Sequence, residues 1–112
     1  MKQKYQTFKK NALKASEFLK ALAHAERLLI LCQLVEGEKS VSELLEDSPL
    51  SQSAFSQHLS VLRRKEMVNT RKESQVVFYS IADQKIAEVL NVLHQQFCTP
   101  EKKRKRGDKN GC

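Results

Sequence analysis

Residues Leu50–Arg64, reading LSQSAFSQHLSVLRR, constrain this chain more than any other stretch. At about 100° per residue, Phe55, Leu59 and Leu62 share one side of a helix, the spacing of a buried stripe. Ser53, Ser56, Gln57, Ser60 and Arg64 fall roughly opposite. Solvent-facing helices usually carry Glu and Lys. This one offers hydroxyls and an amide, which reach base edges, and closes on Arg63, Arg64 and Lys65, which suit phosphate. The helix alone leaves two readings open, a polar surface helix and a recognition helix for the DNA major groove.

The neighbouring segments favour DNA. Val41–Asp47 reads as a short helix that Ser40 can cap, with Glu43 completing a capping box. Ser48-Pro49 breaks it, because proline disfavours helix in the residue before it. A short helix, a turn and a longer helix make a helix-turn-helix. Downstream, Met67–Thr70 and Val76–Ile81 read as strands, the second rich in β-branched and aromatic residues. Arg71-Lys72-Glu73-Ser74-Gln75 lies between them as a polar tip. A hairpin directly after a recognition helix is a wing, and Arg71 and Lys72 would place its cations on the DNA backbone or in the minor groove.

The 112 residues suffice for one domain, with a core small enough that a second copy would help. The expected division is a winged-helix and dimerisation domain over 1–99 and a disordered basic tail over 100–112. That tail sets Lys102, Lys103, Arg104, Lys105, Arg106 and Lys109 against Glu101 and Asp108, and so holds more than half of the net charge of +7. It would either add non-specific DNA affinity or act as a solubilising end. No apolar run approaches a membrane span, and no apolar stretch follows Met-Lys-Gln-Lys at the start. The chain is therefore expected to be cytoplasmic, without a membrane partner and with reduced cysteines. It carries no Gly-rich phosphate loop, no paired catalytic carboxylates and no nucleophile–histidine arrangement. Neither an enzyme nor a cofactor is expected.

The flanking segments point to a partner. Ala12–Ala23 has Ala15, Phe18, Leu19 and Leu22 at helical spacing. Ala25–Glu36 is apolar nearly all round, as a central core helix should be, and Gly37 suits the position just past its end. After Ala82-Asp83, Ile86, Val89, Leu90, Leu93 and Phe97 stripe a last helix. Two striped helices outside a complete winged motif need cover. A homodimer interface built from residues of about 10–22 and 84–97 supplies it, and an intramolecular core is the alternative.

With these words in place — LKALAHAERLLILCQL at 19–34, SVSEL at 40–44, LSQSAFSQHLSVLRRKEMV at 50–68 and TRKESQVVFYSI at 70–81 — the chain resembles the ArsR/SmtB family of bacterial transcriptional repressors. The resemblance spans about residues 10–98. It implies a mainly α fold with a two-stranded wing, order α-α-α-α-β-β-α, in a homodimeric winged helix-turn-helix. It also implies an imperfect palindrome in double-stranded operator DNA, released when an inducer binds. Base or backbone contacts are implied for Gln52, Ser53, Ser56, Gln57 and His58. Helical geometry qualifies the last, since His58 lies about 60° from Phe55, nearer the core than the polar face.

Metals are the family's familiar inducers. Thiolate sensors of the family carry Cys-x-Cys on the third helix, where this chain has Ser42-Glu43-Leu44-Leu45. In its last-helix zinc sensors an Asp/His pair is followed by a His and then a Glu. Here His94 is followed three residues later by Phe97, and Asp83 is the only upstream candidate, so the ligands do not fill a tetrahedral site. His24 reads as a surface or capping residue.

The sulfurs are Cys32, Cys98 and Cys112. Cys32 shares a face with Leu28, Leu31 and Val35, as a small core residue would. Cys98 falls off the Phe97 stripe and is expected to be the more accessible thiol. Spacing alone does not say that the two meet. The resemblance implies it, because a thiol-based sulfur and redox-sensing subgroup of the family carries one Cys on the second helix and one at the end of the last. In that subgroup a disulfide or polysulfide bridge between them lowers DNA affinity. Cys112 has no counterpart there. Three functions remain in play: a repressor induced by reactive sulfur or oxidant through Cys32 and Cys98, a metal-responsive repressor, and an inducer-independent DNA-binding regulator or anti-silencer.

Overall fold

The computed structural model describes residues 2–46 and 48–98, with side chains from residue 4 onward. In chain order the elements are α1 (Lys2–Leu22), α2 (Ala25–Val35), β1 (Lys39–Ser40), α3 (Val41–Glu46), α4 (Gln52–Arg64), β2 (Val68–Glu73), β3 (Val76–Ile81) and α5 (Gln84–Phe97). This is the expected winged helix-turn-helix with one added strand. Asp47 and the basic tail from Glu101, with Cys112, lie outside the described residues.

The core is built around α2, whose Ile30, Leu31 and Leu34 are buried with Leu44 of α3, Phe55, Leu59 and Leu62 of α4, and Ile86 and Leu90 of α5. The rest of α2 is less enclosed than its composition suggests, for Leu29 and Val35 remain exposed. His24 caps the start of α2 by accepting the Glu26 N–H on Nδ1. The capping box on α3 forms as written in the sequence: the Glu43 N–H donates to Ser40 Oγ at 3.1 Å and the Ser40 N–H donates to Glu43 Oε1 at 2.8 Å. Leu50 and Ser51 stay outside α4, because the Ser51 hydroxyl caps it by accepting the Ala54 N–H at 3.1 Å.

The junction between α4 and the wing is a main-chain lock. Glu66 takes a left-handed conformation (φ 59°), its N–H donates to Arg63 O, and the Met67 N–H donates to Leu62 O. That is the Schellman pattern, and it brings buried Met67 over buried Leu62. Gly37 ends α2 at φ 144°, where any other residue would be strained although nothing crowds the site.

Three expectations need correction. Lys39–Ser40 forms a strand on the edge of β3, pairing Lys39 with Tyr79 and Ser40 with Phe78, so the sheet has order β1-β3-β2. Two residues show no periodicity, and Ser40 reads more plainly as a helix cap. The wing is also longer than expected. Its first strand runs from Val68 to Glu73, and only Ser74 and Gln75 form the tip. Apart from buried Val68, both faces of that strand are in solvent, so its sequence does not alternate. Arg71 and Lys72 therefore lie within the strand, not at its tip.

Third, the stripe on the first helix divides. Phe18 and Leu22 pack inward, while Leu19 faces out with Tyr5 and Phe8. The helix begins ten residues before the expected Ala12, and every side chain from residue 4 to 17 is exposed. Its C-terminus is held to α2 by Arg27, whose Nε donates to Ala21 O at 2.7 Å and whose Nη2 donates to Lys20 O at 3.2 Å.

Candidate functional site

Burial of Phe55, Leu59 and Leu62 turns the opposite face of α4 outward. Gln52, Ser53, Ser56 and Gln57 are exposed along it, while Ser60 is half-buried. Arg63 and Arg64 extend this surface at the last turn, where the helix dipole favours cations. Arg63, Arg64 and Lys72 are exposed and, among the described residues, have no ion-pair partner.

Two cations near this surface are engaged. Lys65 Nζ sits 3.4 Å from Glu17 Oε1 on α1. Arg71 is held far more closely. Its Nε and Nη2 donate to the two carboxylate oxygens of Glu38, both at 2.8 Å, and its Nη1 donates to Glu73 Oε1 at 3.0 Å. The guanidinium also lies over the ring of Phe78, its cross-strand neighbour, 4.7 Å from the centroid. The sequence hides this pairing, because Glu38 is 33 residues away in a connection between two helices.

His58 is half-buried, as helical geometry suggested. Its ring lies 4.3 Å, centroid to centroid, from that of His24 at the start of α2. Burial, then the nearby His24 and Arg27, push its pKa below the ordinary 6.5 against a smaller opposing pull from Glu26. Folding thus favours the neutral ring of His58 in the middle of α4.

The cysteines are placed differently from expectation. Cys98 is buried (7% exposed) while Phe97 beside it is 79% exposed. Cys98 is the C-cap of α5 (φ −117°, ψ 14°) and still donates its N–H to His94 O at 2.8 Å, so it keeps its helical position; what helical geometry does not include is that its sulfur is tied up in a disulfide. Cys98 is disulfide-bonded and Cys32 is a free thiol, so the two are not joined to one another here. Cys32 is half-buried, and burial pushes its thiol pKa up. It lines a cleft of about 700 Å³ between α2 and the helix-turn-helix, with Glu26, Glu36, Glu43 and Glu46 in the same wall. Among the described residues, no group of three or more His, Cys, Asp or Glu is placed to hold a metal ion, and no helix is long and apolar enough to cross a membrane.

A capped outward-facing helix ending in two arginines, followed by a two-stranded wing, defines a winged helix-turn-helix protein. The model for the arsR family of bacterial regulatory proteins matches residues 24–70, from the cap of α2 into the wing. The transcriptional activator HlyU of Vibrio cholerae is 48% identical over 83% of this chain and 86% of its own length. A biofilm growth-associated repressor of Xylella fastidiosa is 42% identical over 83% and 82%. The solved structure of reduced HlyU from Vibrio cholerae superposes with a TM-score of 0.78, covering 83% of this chain and 98% of that one. A homodimeric winged helix-turn-helix DNA-binding domain from Mycobacterium bovis, 29% identical, gives 0.67 over 75% and 80%. The chain belongs to the ArsR family of bacterial transcriptional regulators.

The His58 environment has a pH signature. A histidine whose pKa is lowered by folding contributes stability that is present above its ordinary value of 6.5 and lost as pH falls through the folded value. Thermal unfolding at pH 7.5 and 5.5 should show a drop for the wild type that is smaller for His58→Gln. Equal drops would mean that His58 titrates normally.

Proposed function

We propose that this chain is a homodimeric repressor that binds a palindromic operator and releases it when Cys32 and Cys98 are bridged by a disulfide or polysulfide. The observation that carries the reading is a free thiol on α2 and a second cysteine capping α5, two helices that pack against each other. They occur in a chain closely related to a regulator whose structure is described as its reduced form. Gln52, Ser53, Ser56 and Gln57 would read base edges, with Arg63, Arg64, Arg71 and Lys72 on phosphates. His58 would support the helix rather than read a base.

The chemistry starts from reduced thiols, not from the Cys98 bond of this structure. One cysteine thiolate attacks a sulfur of a polysulfane, RS–Sx–SR, forming protein–S–Sx–SR and expelling one RS⁻. The second thiolate attacks the sulfur that bears R's leaving thiolate, closing protein–S–Sx–S–protein and expelling another RS⁻. Two protein thiols are oxidised and one polysulfane is reduced by two electrons. A simple disulfide RS–SR gives the same result without the extra sulfurs. The bridge ties α2, which carries the core, to α5, and so changes the spacing of the two reading helices in the dimer. The alternative that a specific observation favours is anti-silencing, since the Vibrio cholerae relative is called an activator. The same dimer would then raise transcription by displacing a silencing protein from DNA.

The dimer is supported by surfaces left uncovered. Tyr5 (61% exposed), Phe8 (71%) and Leu19 continue one stripe of α1, and Val92 and Phe97 stand out on α5. Phe8→Glu should convert a dimer to a monomer in sedimentation and weaken operator binding together; a dimer with unaltered affinity would remove these faces from the interface. On DNA, Gln57→Ala should reduce discrimination between operator and mutated operator by roughly 1–3 kcal/mol if the amide reads a base in bidentate fashion. Equal losses on all sequences would place Gln57 on the backbone.

The switch is tested by titrating operator DNA with reduced protein, with and without polysulfide. Wild type and Cys112→Ser should release DNA on treatment. Cys32→Ser and Cys98→Ser should bind and stay bound, because one thiol cannot close a bridge. Normal release by either single variant would refute the two-cysteine switch.

A further inference from the structure

We propose that Glu38 competes with DNA phosphate for Arg71, and so sets how strongly the wing grips DNA of any sequence. The inference rests on the reading of the wing as a backbone contact. A guanidinium recognises phosphate through the same planar fork with which it recognises a carboxylate. In this structure that fork is filled: Nε and Nη2 of Arg71 each donate at 2.8 Å to one oxygen of Glu38, and Nη1 donates to Glu73 at 3.0 Å. Phe78 supports the guanidinium plane from beneath. One cation thus stands between two carboxylates, and its charge is spent within the protein before a polyanion approaches. Arg63, Arg64 and Lys72 are unpaired among the described residues and can take phosphates directly. Arg71 has to exchange Glu38 for phosphate first.

Both partners stay accessible for that exchange, with the Arg71 side chain 51% exposed and that of Glu38 35%. Glu38 is held in reach by the backbone. It follows Gly37, whose φ of 144° turns the chain out of α2, and precedes Lys39, which is paired into the sheet opposite Tyr79. Since the competition involves phosphate and not base edges, it should lower affinity for operator and unrelated DNA by the same factor. Discrimination would remain with α4. Glu38 is therefore a positioning residue that restrains non-specific binding.

The test measures binding of the full chain to operator and to an unrelated duplex across a salt series, for wild type, Glu38→Gln, Arg71→Ala and the double variant. Glu38→Gln should tighten binding severalfold on both duplexes and steepen the salt slope by part of the roughly 0.9 that one fully occupied phosphate contact contributes. Arg71→Ala should weaken both, and adding Glu38→Gln to it should restore little. No gain from Glu38→Gln, with a loss from Arg71→Ala, would refute the competition and leave the wing reading standing. The same gain with and without Arg71 would show that Glu38 acts only as a nearby charge, and would also refute it. No loss from Arg71→Ala would refute the wing contact itself, and the competition with it.

Discussion

The contact on which the rest of this molecule depends is that of Phe55, Leu59 and Leu62 with the core around α2. All three are at most 4% exposed. Each such side chain contributes roughly 1.5–3 kcal/mol on burial, which fixes the rotation of α4 about its own axis. Once the rotation is fixed, the outward residues are determined without any contact of their own. The short α3, capped at Ser40 and ended before Pro49, sets the distance at which α4 begins. The Schellman lock at Glu66 then sets the angle at which the wing leaves. Helix and wing are thus oriented by buried carbon and main-chain hydrogen bonds, and their exposed side chains are left over for binding.

That division explains what was legible. Where a helix has one wet face and one dry face its pattern announced it, as for α4 and α5, and β3 was read from its β-branched and aromatic content; all three were placed to within a residue or two. Two caps were legible because their chemistry is local; Ser40 with Glu43, and His24, each bond within three residues, whereas the cap that Asp83 places on α5 was not read. The legible part of the candidate site is the part on α4, for the same reason. What escaped were features set by residues distant in sequence or by the end of a periodicity. The first wing strand is wet on both faces. Arg71 finds Glu38 only once the sheet has formed. Cys98 keeps its helical position, but helical geometry says nothing of the disulfide it makes, and it is buried where an accessible thiol was expected.

Cys32 and the outward face of α4 are linked through the core. Cys32 belongs to α2, which supports α4, and its cleft is lined by Glu26, Glu36, Glu43 and Glu46, with Lys39 paired to Glu36. Burial keeps the Cys32 thiol protonated to higher pH. A thiol so placed is slow to react by accident, and under the switch proposed above its modification would press on packed side chains rather than on a flexible loop.

The fourteen exposed residues at the start of α1 carry a different consequence. A helix of this kind, whose side chains from residue 4 to 17 are exposed, is only marginally ordered in water on its own. Under the dimer proposed above, its order becomes a function of how many copies are present. A cell holding few copies would hold chains with a complete reading head and a frayed leading arm, open to proteolysis; one holding many would hold finished dimers. Abundance would then tune the lifetime of this regulator as well as the occupancy of its site.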